Sequence, residues 1–298
     1  MIGNSAFYKC LALTSIDLSQ TKLTSIGNQA FYECSALASI QLPQTLTKIE
    51  GYAFYKCTSL RAIDLSQTAL TIIENSTFSR CSALTSVTLP QGIISIEMRA
   101  FANCSALKAI DLSQTKLTSI GDRAFALCDA LTSIQLPQSL TKIGQWAFQH
   151  CFAVTSIEIP QGVTSIGEYA FYQCYNLASV IFLGPAPSLE AGVFLGTGRD
   201  VGGFTITIYE SHEASYASWT TSYTLNIVPN PPVVLLVTIH YNPTSNALSL
   251  ITYDEANLAT LSLQHTASLA DAWNTLSTLA YTQATDSTSG AVHSYSHD

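Results

Sequence analysis

The sequence predicts a repeat solenoid of short β-strands joined by short helical turns, followed by a small all-β module. Three observations predict it. A Phe-x-x-Cys phrase, usually led by Ala as in Ala30 to Cys34, recurs eight times, at Phe7, Phe31, Phe54, Phe78, Phe101, Phe125, Phe148 and Phe171. Each of these Phe residues is followed three places later by one of the 8 cysteines, Cys10, Cys34, Cys57, Cys81, Cys104, Cys128, Cys151 and Cys174. Two short apolar segments lie between successive phrases, and the pattern ends before Pro229-Asn230-Pro231-Pro232. A unit of 23 or 24 residues is too small to bury its own apolar face and must stack on its neighbours.

Within a unit the first element is a strand. In Leu37-Ala38-Ser39-Ile40-Gln41-Leu42 the period of two points Ile40 and Leu42 inward and Gln41 outward. Leu46-Thr47-Lys48-Ile49 supplies a second inward pair and a second short strand. A glycine, Gly51 or Gly27, Gly121, Gly144 and Gly167, then marks the bend into a helical turn, led by a cap such as Asn28 or Asp122. Phe and Cys at i and i+3 of that turn share a face and point into the coil. Long units carry Ile16-Asp17-Leu18-Ser19-Gln20-Thr21 and its copies from Ile63 and Ile110. Short units carry Leu-Pro-Gln in the same place, at Leu42, Leu89 and Leu136, which implies duplication of a two-repeat cassette. Arg61, Ser76 and Met98 depart from the consensus at positions taken to lie outside the core pattern.

These residues, read as C-x-x-L-x-x-I-x-L-P-x-x-L-x-x-I-G-x-x-A-F, resemble the BspA-like leucine-rich repeat family, also called the Treponema-type repeat. The resemblance covers residues 1 to about 200. It implies a leucine-rich-repeat solenoid in a bacterial or protist surface or secreted protein that works by adhesion or protein binding, without catalysis. A degenerate ninth unit has Phe194 in register and Thr197 in place of Cys. Phe204 to Tyr209, with Tyr216 and Trp219, is similar to the closing strand and aromatic cap at the end of such arrays. The predicted boundaries are a solenoid over 1–228, a Pro-rich linker over 229–232 and a β-sandwich-like module over 233–298, possibly incomplete. The module's strands are read at Val233 to Tyr241, Leu248 to Tyr253, Leu258 to Gln264, Trp273 to Thr282 and Ala291 to Ser294. It is read as a spacer or sorting module, with carbohydrate binding as the alternative.

Charge restricts the partners. The formal net charge is −8, and no Lys or Arg follows Arg199, so residues 1–199 are neutral overall and the remainder is acidic. Nucleic-acid binding needs a basic surface to displace counterions from phosphates, and an anionic membrane needs the same. The longest apolar run, near Val233 to Ile239, is far short of the ~20 residues that span a bilayer. No signal peptide is apparent, and Met1 to Phe7 matches Ser25 to Phe31, so the chain reads as starting in the middle of a repeat. The first coil's apolar face would then be uncapped and open to self-association.

No catalytic residue, metal site or cofactor is expected. Each cysteine is alone in its coil, whereas C-x-x-C metal sites need closely paired ligands. Stacked cysteines could approach disulfide range at a spacing near ~5–6 Å, but free buried thiols acting as small apolar residues fit the repeat better. His293 and His297 have helical ligand spacing but lie in a Ser-rich stretch without a helical pattern. The candidate ligand-binding residues are the outward members of the first strands on the expected concave face: Asp17, Gln41, Asp64, Thr88, Asp111, Gln135 and Glu158. Acidic members alternate with neutral ones, so carboxylates about 10 Å apart exceed the ~5–9.5 Å of a paired acid and base. The column is read either as a solvated strand face or as a hydrogen-bonding groove for an extracellular protein or glycan. The expected function is thus a non-catalytic adhesion module outside the cell, the alternative being a structural spacer that presents another domain.

Overall fold

The computed structural model describes residues 1–199, 203–219 and 225–230, together with the backbone of two strands within 236–253. Contacts divide the chain into two compact units, Met1–Asn230 and Pro231–Asp298.

The first unit is a parallel β-solenoid whose coil has three sides. Side one is the first strand of each unit, from Ser15–Asp17 and Ser39–Gln41 through to Ser179–Phe182 and Thr205–Tyr209. These strands pair in parallel and in register in separate groups: Ser15–Asp17 with Ser39–Gln41, Ala62–Asp64 with Ser86–Thr88, Ala109–Asp111 with Ser133–Gln135, and the last four, Ser156–Ile159 to Leu225–Val228, together. Ser15, Ile16 and Asp17 thus face Ser39, Ile40 and Gln41. The expected alternation holds: Ile40 is buried between exposed Ser39 and Gln41. Side two is the second short strand, which builds a continuous six-stranded ladder from Ile72–Ile73 to Ser188–Leu189.

Side three carries the Phe-x-x-Cys phrase, and here the expected helical turn is replaced by a laddered turn. Alternate amides of the phrase serve different partners. Ala30, Tyr32 and Cys34 donate back three residues within their own coil, whereas Gln29, Phe31 and Glu33 donate to Gly51, Ala53 and Tyr55 of the next coil. A helix would keep all its hydrogen bonds local, so the ladder between coils displaces it. The geometry requires positive φ at two places per coil, among them Gln29 (55°) and Glu33 (54°), and sixteen non-glycine residues adopt it. In the ninth coil the same places are Gly192 and Gly196. A side chain at positive φ costs ~1–2 kcal/mol, against ~0.5–1 kcal/mol for the extra freedom glycine loses on folding. Gln29→Gly is therefore expected to raise the unfolding free energy by up to about 1 kcal/mol, read from urea denaturation; a loss of stability would show that the turn is unstrained.

The glycines also act differently from the bend markers expected. A Cβ on Gly121 would lie 2.7 Å from the Glu97 carbonyl carbon, and one on Gly167 2.6 Å from the Gln145 nitrogen, so the need is close approach of successive coils. Gly51 falls one place later in its unit than these, and Glu50 holds the glycine position. Asn28 and Asp122 do not cap their own turns: the Asn28 amide donates to the Gly51 carbonyl, and Asp122 accepts from the Gln145 backbone N–H. Ser76, a supposed departure outside the core pattern, is only 2% exposed.

The interior is a set of stacked columns. Phe rings from Phe7 to Phe194 stack nearly parallel, with centroids 4.9 to 5.6 Å apart. All eight cysteines are free. From Cys34 to Cys174, each thiol donates to the carbonyl of the Phe in the preceding coil, as Cys104 does to Phe78 at 3.2 Å. That carbonyl already accepts from the Cys N–H of its own coil, so the thiol fills its second lone pair. Burial pushes the Cys81, Cys128 and Cys174 thiols up to about 12. Thiolate, the reactive form, is therefore negligible in this column at neutral pH.

The C-terminal end is closed by Thr205–Tyr209, a 3-10 helix over Glu210–Trp219, and Leu225–Val228, which pairs in parallel with the preceding strand. Tyr216 is fully buried and donates its hydroxyl to the Gly184 carbonyl at 2.8 Å. Trp219 meets Phe182 and Tyr216 edge-on. In the second unit, Leu236–Asn242 and Ala247–Tyr253 form an antiparallel hairpin. The strands expected at Leu258 to Gln264, Trp273 to Thr282 and Ala291 to Ser294, and the pair His293 and His297, lie outside the described residues.

Candidate functional site

The seven candidate residues occupy one face. Asp17, Gln41, Asp64, Thr88, Asp111, Gln135 and Glu158 are all exposed, and the register sets Asp17 beside Gln41, Asp64 beside Thr88, and Asp111 beside Gln135. Glu158 lies beside Ile181.

The alternation of acidic and neutral members has a local cause. Asp17, Asp64 and Asp111 each accept a hydrogen bond at 2.9 Å from the backbone N–H two residues on, at Ser19, Ser66 and Ser113. Such Asx turns bend the chain out of the strand. In the units of Gln41, Thr88, Gln135 and Glu158, the residue two places on is Pro43, Pro90, Pro137 or Pro160. Proline has no N–H to satisfy, so no carboxylate is needed there. Hydrogen bonds from Ser19 and Ser113 hold the Asp17 and Asp111 carboxyls below their ordinary range. Three of the four acidic members thus have a structural task, a division the D-x-S and x-x-Pro patterns already encode.

Glu158 is the exception. It precedes a proline-bearing bend, and among the described residues it makes no hydrogen bond or ion pair. Its carboxylate opens onto a groove of about 420 Å³, bordered by Gln135, Gln138, Ser133, Ser156 and Ser113. A second groove of about 620 Å³ brings Asp111, Thr88, Gln91 and Gln114 together between neighbouring coils. Sequence reasoning missed Gln138, Gln91 and Gln114. The signal was available, since a Gln follows each Leu-Pro at Gln44, Gln91 and Gln138 and each Asp-Leu-Ser at Gln20, Gln67 and Gln114, adding an amide beside the column. These grooves offer hydroxyls, amides and a single unengaged carboxylate, with no paired acid and base and no nucleophile activated by an adjacent histidine.

Among the described residues, no group of three or more His, Cys, Asp or Glu side chains could hold a metal ion. No helix there is long and apolar enough to cross a membrane.

A family model described as the BspA type leucine rich repeat region matches in 6 copies, over residues 1–116 and 96–211. Among solved structures, a leucine-rich repeat protein from Bacteroides ovatus is 24% identical with a TM-score of 0.53, covering 76% of this chain and 64% of that one. That likeness is one of fold, and this chain spans less than two thirds of that protein's length. The Treponema pallidum leucine rich repeat protein is 26% identical with a TM-score of 0.48, covering 72% of this chain and 91% of that one. A leucine rich cell surface protein from Faecalibacterium prausnitzii is 21% identical with a TM-score of 0.33, covering 76% of each chain. No curated protein is a significant match.

Proposed function

Since the chain belongs to the BspA-type leucine-rich repeat family, we propose that it is a non-catalytic binding module of a cell-surface or secreted protein and holds an extracellular protein on its first-strand face. The observation that carries this reading is Glu158. Its carboxylate is not engaged by its own turn, and it lines a groove with Gln135 and Gln138 rather than standing on a flat strand surface. Around it, Ser133 and Ser156 flank an exposed polar ladder whose apolar residues point inward, as Ile134 and Ile157 do. A partner is therefore met by hydrogen-bonding groups on a rigid support, which favours recognition over chemistry. The same reading extends to the rest of the column, with Asp17, Gln41, Asp64, Thr88 and Asp111 contributing polar contacts along the stack.

The test is capture by the full chain of purified extracellular-matrix proteins immobilised individually. Wild type is expected to retain at least one of them, and Gln135→Ala with Glu158→Arg is expected to weaken that binding on the order of tenfold or more. A structural spacer would capture none. Capture undiminished in the double variant would place recognition elsewhere.

A further inference from the structure

Side three carries a cationic shelf that the first-strand face does not involve. In coils three to seven, the residue after each core Phe changes from Tyr55 to Ser79, Ala102 and Ala126, then Gln149. Tyr8, Tyr32 and Tyr55 stack on one another at 4.9 to 5.0 Å and build an aromatic ridge. Where Ser and Ala replace Tyr the ridge drops away, and Ser76, Ser79, Ala102 and Ala126 form a floor no more than 4% exposed. The recess holds about 370 Å³, and its lining includes Arg80, Arg99, Arg123, Tyr52, Tyr55 and Asn103.

Three of the chain's five arginines meet here, one on each of three successive coils. Arg123 stacks on the Trp146 ring at 3.7 Å, and Arg80 lies 6.0 Å from the centre of the Tyr55 ring. Stacking holds a guanidinium by its face and leaves its N–H fork free for an anion. The three ion pairs among the described residues join Lys9, Lys48 and Lys56 to Glu33 or Glu50, so none neutralises an arginine of the shelf. Burial first, and then the like charge of Arg99, lower the pKa of Arg123, with Asp122 only partly opposing them. Cations brought together and left unpaired call for an anionic occupant.

The surroundings identify its kind. The backbone of the floor is committed: Ser76, Phe78 and Arg80 amides donate to Met98, Ala100 and Ala102 carbonyls of the next coil. No open strand edge is therefore offered to an added peptide strand. Spacing also disfavours an acidic peptide, because same-side residues of an extended chain recur every ~6.6–6.8 Å while stacked strands recur every ~4.7–4.9 Å. What remains is a set of side chains: guanidinium forks, the Asn103 and Gln149 amides, serine hydroxyls and the aromatic rim of Tyr52 and Tyr55. That combination suits sugar hydroxyls and ring faces together with charged substituents.

We infer that the Arg80, Arg99 and Arg123 shelf is a second binding site, for an acidic oligosaccharide bearing sulfate or carboxylate groups. The test uses the full chain with a heparin oligosaccharide as probe, compared with a neutral oligosaccharide of the same length and with poly-glutamate. Wild type is expected to bind the heparin oligosaccharide alone, with affinity falling as salt rises. Arg80→Gln, Arg99→Gln and Arg123→Gln together are expected to reduce that binding on the order of tenfold or more, with an unchanged circular dichroism spectrum and melting transition. Arg61→Gln, outside the shelf, should leave it unaltered. Undiminished heparin binding in the triple variant, equal binding of poly-glutamate, or no heparin binding by wild type would each overturn the inference.

Discussion

Phe101→Ala is expected to lower the unfolding free energy of the full chain by about 3–5 kcal/mol. Phe101 is fully buried, and its ring stacks on Phe78 and on Phe125 at 5.4 Å on either side. Truncation therefore removes two ring contacts and leaves a gap in a column whose floor and ceiling are fixed by ladders of hydrogen bonds, so the site has little freedom to collapse. In a solenoid, stability is close to a sum of coil terms and nearest-neighbour interfaces, and this one change weakens two interfaces together. The measurement is a urea titration read at its midpoint and slope. Phe101→Leu, which keeps most of the volume, should recover much of the loss. Phe7→Ala, at a partly exposed ring with Phe31 as its stacking neighbour, should cost less. A cost below about 1 kcal/mol for Phe101→Ala would mean that the ring column does not hold the coils together.

That column was legible because a solenoid turns sequence period into spatial register. Phe and Cys recurring together every 23 or 24 residues have no arrangement but stacked columns, and the inward Ile and Leu pairs follow from strand alternation. The turn was less legible. Phe and Cys at i and i+3 fit a helix and a tight turn equally, and the choice is made by amides such as Phe31 and Glu33, whose partners lie 22 residues away in the next coil. Local propensity carries no information about such partners. The acidic column was visible as a column, and the D-x-S and x-x-Pro patterns carry its division, but residue types alone do not fix the Asp17–Ser19 hydrogen bond that makes Glu158 the odd member. The arginine shelf was harder still. Arg80 occupies one repeat position and Arg99 and Arg123 another, so no column alignment gathers them. Only the loss of tyrosine at Ser79, Ala102 and Ala126 makes room for them to meet.

At the other end of the array, Tyr216→Ala is expected to cost about 3–5 kcal/mol of local stability, spent on the last coils before it reaches the whole chain. Tyr216 is among the largest fully buried side chains and packs against Phe182 and Trp219. Its hydroxyl hydrogen-bonds the buried Gly184 carbonyl, so Tyr216→Phe alone should cost ~1–3 kcal/mol by leaving that oxygen unpaired. Burial raises the Tyr216 pKa above its ordinary value, which keeps the phenol protonated as the donor. A raised folded-state pKa contributes stability that is fully present below the unfolded value near ~10 and is lost as pH rises beyond it. Wild type should therefore weaken in alkali at this end, and Tyr216→Phe should remove that component of the pH dependence. Amide hydrogen exchange separates this effect from that of Phe101→Ala. With Tyr216→Ala, protection should fall in Ser179–Phe182 and Ser188–Leu189 while Ala109–Asp111 keeps its own, because coils interact only with their neighbours. Equal loss of protection across all coils would show that the solenoid unfolds as one cooperative unit and that the cap does not act locally.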